Sequence, residues 1–402
     1  MIYLALGSNI GNRFENLRTA ISKLSEFFTC EKLSIVTETE ALLLPDSPSD
    51  WNMPFLNMAI CGHTDFYPFA LLDRLKIVEK EMGRDLNAPK WSPRVIDIDI
   101  VAHGDEITNT EWLTIPHKEI KNRDFWQYLL TDLDYKIPED IKLDIDNYKA
   151  LNYFVLNPKL VGIVNVTPDS FSDGGKYLNP EAAVAQINKL RNEGACVVEL
   201  GAQSTRPGYV EISPAEEIAR LAPILERIDN TDGIGIDTYF DEVAEYAIKK
   251  YNIRWINDQT FMRARLSDKV LKLIADSGAR YATMLHGMDV SLLESRANYL
   301  RNLGIKKENI LLDPGIGFGK SKRDNINMIK NISRIKDIGY QVLFGCSRKS
   351  FISSFSNVQT ADRDIETLAI SDFAAAQKID YIRVHNVRDH MRFFVAKCYA
   401  TG

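Results

Sequence analysis

The sequence has little cysteine: five residues in 402, none of them in a CxxC pair. Cys30, Cys61, Cys196, Cys346 and Cys398 are scattered and odd in number. That pattern fits reduced thiols in a cytosol and excludes a disulfide framework or a paired-thiolate zinc site. There is no apolar run long enough to span a bilayer. The opening residues, MIYLALGSNIGNR, lack the basic stretch and long apolar core of a secretory signal and read as a first strand with its turn. A basic excess is also missing: 49 Lys and Arg against 55 Asp and Glu leave a net charge of −6. Nothing therefore offsets the repulsion of a nucleic acid or an anionic membrane surface. We expect a soluble cytoplasmic protein with small-molecule partners, and with neither nucleic acid nor membrane among them.

What is present exceeds one ordinary core, since 402 residues make two domains the natural expectation. The acidic segment 131–158, TDLDYKIPEDIKLDIDNYKALNYFVLNP, carries two prolines and little sustained periodicity. It places a junction near 153–158, with one domain over 1–155 and a second over 158–402. In the first, MIYLALGS, KLSIVTET, FLNMAICG and VIDIDIVA read as strands. Phe14, Leu17, Ile21, Leu24 and Phe28 have helical spacing, and PFALLDRLKIVEKEMG reads as a second helix. A compact α/β or α+β domain follows.

The second part repeats one unit. LVGIVNV, CVVELGAQS, GIGIDT, RWIND, YATMLHG, NILLDPG, QVLFGCS and YIRVHN are short apolar strands, each closing on a polar residue and followed by a helical stretch. Eight such strands predict a (β/α)₈ TIM barrel, whose strand ends meet at one rim. Asn165, Gln203, Asp237, Asn257, Asp258, His286, Asp313, Ser347 to Lys349, Arg383 and His385 would converge there. PGIGFGKS nearly spells a phosphate-binding P-loop, but Pro314 stands where its first glycine belongs, so that reading fails.

The sharpest chemistry of the first domain lies in KWSPRVIDIDIVAHG. Alternation along a strand puts Asp97 and Asp99 on one face, roughly 6–7 Å apart, with Ile96, Ile98 and Ile100 on the other. Carboxylates so placed can hold one or two magnesium ions against a nucleotide's phosphates. A bare DID would more often be a solvated edge strand; its flanks decide otherwise. Trp91, Pro93 and Arg94 precede the pair, and IPHKEIKNRDF follows. With LALGSN and PFLNMAI, these residues resemble the hydroxymethyldihydropterin pyrophosphokinase family across 1–150.

That resemblance implies an α+β, ferredoxin-like domain that uses ATP as co-substrate and magnesium at Asp97 and Asp99. It implies that Phe125 stacks on the pterin and Asn57 hydrogen-bonds it. Phe55 stands where the family usually has Tyr, and Trp91 lies on a closing loop. Arg84, Arg94, His117 and Arg123 would face ATP's phosphates. The family often carries a second Arg at the position of Leu86, and Lys90 on the same loop would supply that charge.

IVNVTPDSFSDGGKY, GAQSTRPG, LLDPGIGFGKS, LFGCSRKSFI and IRVHNV occur in order at successive strand ends. They strongly resemble dihydropteroate synthase over 158–402. The resemblance assigns the pterin to Asp237, Asn257, Asp313 and Lys349. It assigns the pyrophosphate to Asn165, Arg383 and His385, with magnesium near Asn165 and Arg206 within reach. It places p-aminobenzoate among Thr205, Pro207, Phe318, Lys349 and Ser350. Gln203 stands where the family usually has an acidic residue, and Asn386 where it has Asp. Relatives of this kind often form homodimers through barrel helices.

Together the two resemblances imply a bifunctional folate-biosynthesis enzyme. ATP and 6-hydroxymethyl-7,8-dihydropterin would give the pterin pyrophosphate and AMP; p-aminobenzoate would then displace pyrophosphate to give 7,8-dihydropteroate. An alternative leaves only one half active and makes the other a pterin-binding or regulatory module. A generic barrel fused to a scaffold would leave the WxPRxxDxD run unexplained.

Overall fold

We describe a computed structural model of the chain over residues 1–43, 45, 47–137, 158–167, 179–203, 211–259 and 266–401. The chain divides into two compact units, Met1–Phe154 and Val155–Gly402. The junction expected near 153–158 falls, but for Pro158, outside the described residues. So do Thr205, Arg206 and Pro207 and most of the segment TPDSFSDGGKY.

The strands of the first unit are β1 (Ile2–Ser8), β2 (Thr29–Leu33), β3 (Thr37–Thr39), β4 (Phe55–His63), β5 (Asp97–His103), β6 (Thr108–Asn109) and β7 (Thr114–Ile115). Its helices are α1 (Arg13–Leu24), α2 (Pro68–Glu81) and α3 (Asp124–Thr131). The main sheet runs β2-β4-β1-β5, with β3 also on β4 and every pairing antiparallel. This is the split βαβ order of a ferredoxin-like α+β domain. One side of the sheet is closed by α3, whose Trp126, Leu129 and Leu130 pack with Ala5, Ala59 and Val101.

The expected strand KLSIVTET is two strands, β2 and β3, interrupted at Ser34 to Val36. Buried Ser34 takes over the ladder there: its N–H donates to the Ala59 carbonyl (2.9 Å) and its hydroxyl accepts the Ala59 N–H (2.8 Å). A side chain thus replaces a backbone partner and the regular pairing lapses.

In the second unit, strands β8 (Lys159–Asn165), β9 (Val197–Gly201), β10 (Ile234–Asp237), β11 (Trp255–Asp258), β12 (Arg280–Met284), β13 (Ile310–Asp313), β14 (Gln341–Phe344) and β15 (Tyr381–Val384) form a closed barrel in chain order. All eight pairings are parallel. The helices are α4 (Pro180–Asn192), α5 (Pro214–Leu225), α6 (Asp241–Tyr251), α7 (Asp268–Ser277), α8 (Ser291–Asn302), α9 (Lys322–Lys330), α10 (Ser333–Lys336), α11 (Asp364–Ala376) and α12 (Val387–Thr401). The eight apolar runs are therefore the eight barrel strands, and the polar residue ending each one stands at a common rim. Below the rim Val161, Val197, Trp255, Ala282, Leu311, Leu343 and Tyr381 fill the barrel. Asn179, Ser213, Ser267 and Ser321 cap α4, α5, α7 and α9 by accepting a first-turn N–H, which fixes where each loop ends. Among the described residues no helix is long and apolar enough to cross a membrane.

Candidate active sites

In the first unit the candidates meet. Phe55 and Asn57 come from β4, Arg84 to Arg94 from the loop after α2, and Asp97 and Asp99 from β5. His117, Arg123 and Phe125 come from the segment that leads into α3. All of them, with Lys90 and Trp91, line one cavity of about 760 Å³, within the usual range of a ligand pocket. The edge strand β5 holds its two aspartates toward this cavity while Ile98 and Ile100 are buried behind them. Opposite, Gly7 pairs with Asn57 across the sheet. A Cβ on Gly7 would lie 3.0 Å from the Asn57 Oδ1 and 3.4 Å from the Phe55 ring, so glycine leaves these two side chains their places. Asn57 Nδ2 donates to Thr39 Oγ1 (2.9 Å), which fixes the amide plane.

The two aspartates differ. Burial pushes the Asp97 carboxyl up, but Arg84 and Arg94 outweigh it and hold it below the ordinary carboxylate range. Arg84 Nη1 hydrogen-bonds Asp97, and Arg94 Nη1 stands 3.4 Å from its other oxygen. Burial and the Asp97 charge push the Asp99 carboxyl up to about 7. His117 is driven down to about 4 by burial and then by the Arg123 charge, so its ring is neutral. Its Nδ1 accepts the Glu119 N–H (3.2 Å), which leaves the ring proton on Nε2. Arg123 lies over the Trp126 ring at 4.7 Å and 3.8 Å from Glu119. Arg94 covers the Phe55 ring at 5.4 Å and Lys90 the Trp91 ring at 5.6 Å. Trp91 holds φ +74°, a left-handed backbone that a tryptophan adopts only under constraint.

Sequence reasoning missed Glu79. This fully buried carboxylate on α2 pairs with the Arg84 guanidinium at 2.8 Å and accepts from Lys76 (2.9 and 3.0 Å) and the Ile98 N–H (2.7 Å). It ties the helix to β5 and holds Arg84 in place. The signal was present: Glu79 falls on the buried face of α2, at helical spacing from Leu71 and Leu75.

At the barrel rim a second buried carboxylate, also missed, organises the candidates. Glu199 of β9 accepts from Asn257 Nδ2 (3.1 Å), Trp255 Nε1 (3.1 Å) and Arg383 Nε. Arg383 Nη2 also donates to Asp237 (2.9 Å), and Gln259 Nε2 donates to the same carboxylate. Burial pushes Asp237 well above the ordinary range; Glu199 adds to this while Arg383 opposes it. Asn257 is buried and, among the described residues, its Oδ1 has no hydrogen-bond partner. A Cβ on Gly201 would lie 3.7 Å from both Asn165 Oδ1 and Asp237 Oδ2, which puts Asn165 at the same rim.

Asp313 accepts the Gly315 N–H (2.6 Å); burial raises its pKa while Lys349 opposes the rise. Burial lowers Lys349 to about 8, with Asp313 pulling the other way. The Lys349 ammonium donates to the Ile316 carbonyl and stands 4.4 Å from the Phe318 ring centre. His385 is pressed down to about 3 by burial and by Arg348 and Arg383, and is neutral. Ser347 Oγ accepts the His385 backbone N–H (3.2 Å) and lies 2.8 Å from its Nδ1. The hydroxyl is thus set to donate to Nδ1, and Nε2 carries the ring proton. His385 therefore presents a neutral ring with its N–H at Nε2. Asn386 Nδ2 donates to Asp364 (3.1 Å), which also takes both arms of Arg348 (2.7 and 2.8 Å). Gln203 accepts the Ile212 N–H (3.0 Å) and is a loop brace. Ser350 opens a 3₁₀ turn, Ser350–Ser354, and is exposed at the rim.

The sequence matches two families. Residues 3–135 match 7,8-dihydro-6-hydroxymethylpterin-pyrophosphokinase, and residues 161–385 match the pterin binding enzymes. The folate synthesis bifunctional protein of Chlamydia caviae is 35% identical, over 99% of this chain and 98% of its own length. A dihydropteroate synthase of Xanthomonas albilineans, solved with 4-aminobenzoic acid, is 32% identical with a TM-score of 0.55, covering 63% of this chain and 95% of its own. The dihydropteroate synthase of Yersinia pestis, solved with a sulfonamide drug, is 29% identical with a TM-score of 0.54, covering 63% and 98%. The two sites, each assembled in its own unit, and these likenesses lead to one assignment. The chain belongs to the family of folate synthesis bifunctional proteins, an ATP-using hydroxymethyldihydropterin pyrophosphokinase followed by a dihydropteroate synthase.

Proposed function

We propose that the residues gathered in each unit carry the two successive reactions in the roles the motifs assign. In the first unit Phe55, Trp91 and Phe125 enclose the pterin ring, and Asn57 hydrogen-bonds it. Arg84, Lys90, Arg94, Arg123 and the His117 Nε2–H hold the phosphates of ATP. Phosphoryl-type transfer depends on positioning and charge neutralisation more than on covalent help from the protein. The pterin hydroxyl attacks the β-phosphorus and AMP departs.

Asp97 and Asp99 fit magnesium. They are two hard oxygen donors on one strand face, one ionised and one kept protonated to about 7 by burial and by its neighbour, a pair that a dication would ionise fully. Among the described residues no larger cluster of His, Cys, Asp or Glu competes for a metal. Magnesium takes only one or two carboxylates beside water and phosphate oxygens. When bound it supplies charge neutralisation of the polyphosphate.

In the second unit Asp313 accepts from the pterin's amino and ring N–H groups, and Asn257 Oδ1, unpaired among the described residues, is a further acceptor. Asp237 and Lys349 complete that pocket. Asn165, Arg383 and the His385 Nε2–H receive the leaving pyrophosphate, with magnesium near Asn165 and Arg206 within reach. The pterin delocalises charge as the methylene–oxygen bond breaks, and the amine of p-aminobenzoate then bonds to the methylene. Phe318 and Ser350, with Thr205 and Pro207, are its proposed surroundings.

The observation that supports this reading most is convergence. Residues from separate segments of the first unit line one cavity, and the barrel candidates gather around Glu199 and Asp313. A coupled assay with ATP, magnesium, the pterin alcohol and p-aminobenzoate tests it. Dihydropteroate should form only when all four are present; formation without ATP, or none at all, would refute it.

A further inference from the structure

Two cavities adjoin the loop after α2. The larger, of about 760 Å³, holds the pterin and phosphate candidates. The other, of about 470 Å³, is lined by Ile10, Lys76, Gly83 to Leu86, Ala88 to Lys90 and Ser92 to Val95. Four residues line both, and all four are cations: Lys76, Arg84, Lys90 and Arg94. Three of these are the phosphate-facing candidates that the motif supplies. The fourth, Lys76, belongs to no motif.

Lys76 sits on α2, a regular helix, and its ammonium bridges both oxygens of Glu79 at 2.9 and 3.0 Å. It also lines the same cavity as Asp97 and Asp99. Its bond to Glu79 is releasable. If Lys76 swings away, Glu79 keeps Arg84 at 2.8 Å and the Ile98 N–H at 2.7 Å, so the buried carboxylate is not stranded. The lysine's side chain is 35% exposed, on a flexible four-carbon stem, and can turn to a new anion without moving the helix. The other cations are already engaged: Arg84 and Arg94 by Asp97, and Lys90 by the Trp91 face.

We infer that Lys76 is a further phosphate-binding residue of the first site, one that leaves Glu79 for the polyphosphate of the bound nucleotide. It adds a cation from the helix to the one that Lys90 brings in place of the Arg that the family resemblance puts at Leu86, which here is apolar and 47% exposed. The inference rests on the pyrophosphokinase reading of that site. It concerns the phosphates beyond the first, because the cations with which Lys76 shares the wall are the triphosphate candidates.

The test compares Lys76→Met and Lys76→Arg in the full chain. Three ligands are titrated: the non-cleavable α,β-methylene analogue of ATP, AMP, and the pterin alcohol. A lost hydrogen bond between charged groups weakens binding roughly ten- to hundredfold. Lys76→Met should therefore lose about tenfold or more in affinity for the analogue and raise the KM for ATP in parallel. Its affinities for AMP and the pterin alcohol should stay within about twofold, and Lys76→Arg should recover most of the loss. Analogue affinity and KM within twofold of the parent in Lys76→Met would overturn the inference. So would an equal loss for analogue, AMP and pterin that Lys76→Arg fails to recover, because that marks displacement of Arg84 through Glu79. If the parent itself bound the analogue but made no AMP, the pyrophosphokinase reading would fall instead, and the binding arms keep the two outcomes apart.

Discussion

At the scale of single residues, both candidate sites are organised by carboxylates whose charge is set by burial and by their neighbours. Asp97 is held ionised by two arginines while Asp99, two residues along, retains a proton to about 7. Replacing either by Ala should abolish AMP formation, by 10³-fold or so if the metal's electrostatic contribution is lost, and spare the second reaction. Separate assays of the two steps check this, and AMP release near the parent rate in either variant would refute the magnesium assignment. In the barrel, Lys349 titrates. Its pKa of about 8 lies below the ordinary lysine value because burial disfavours the ammonium. As pH rises through 8 the free enzyme loses that cation, so kcat/KM for the pterin pyrophosphate should fall along an alkaline limb centred near 8. Lys349→Arg should remove the limb, since guanidinium stays charged. A limb that persists in that variant would assign the titration elsewhere. The two hubs, Glu79 and Glu199, were less legible than the residues they hold. An acidic residue inside an apolar run is a signal, but the sequence does not say which distant arginine or amide it will meet; Arg383 is 184 positions from Glu199.

At the scale of elements, the legible parts were those with a strong period. The barrel strands are continuous apolar runs because helices cover the sheet's outer face and packed side chains its inner one. Each run ends where the rim begins. Less was legible in the first unit. The helical spacing that continues to Phe28 does not keep the chain helical. α1 ends at Leu24, whose carbonyl accepts the N–H of both Phe27 (3.0 Å) and Phe28 (2.8 Å), and Phe28 is buried beyond the turn. The hairpin β6–β7 and α3 are too short to show a period, yet they bring His117, Arg123 and Phe125 to the site. The loop after β13 makes its own prediction. Gly315 holds φ +65°, and a Cβ there would stand 2.0 Å from the Leu285 carbonyl oxygen. That same carbonyl accepts from Lys320 at 2.7 Å, so the loop cannot simply retreat. Gly315→Ala should lower the stability of the second unit by about 1–3 kcal/mol and displace Asp313, which loses its Gly315 N–H. The second reaction should fall at least tenfold and the first remain. A variant with parental melting and parental synthase rate would show that the loop tolerates the shift.

At the scale of the whole molecule, the question is whether two enzymes share a chain or a fold. No sheet among the described residues includes strands from both units: β1 to β7 pair among themselves, and β8 to β15 close a barrel. Each unit has its own apolar core, one around Trp126 and Leu129 under the antiparallel sheet, the other around Trp255 and Tyr381 inside the barrel. Each also gathers its own candidate site from its own segments. A core and a site of this kind are what an independently folding domain requires. Residues 1–155 and 158–402, expressed separately, should therefore each melt as a single cooperative transition and keep their own half-reaction. Mixed in solution with ATP, magnesium, the pterin alcohol and p-aminobenzoate, they should make dihydropteroate after a lag, because the intermediate must now accumulate before the barrel fills. A sulfonamide, which matches p-aminobenzoate in shape and charge, should compete with it in the barrel piece and leave AMP release by the other piece unchanged. Inhibition of AMP release, or competition with ATP, would break the assignment of p-aminobenzoate to the barrel. Insolubility of both pieces would mean that the units depend on one another for folding, and the boundary between them would have to move.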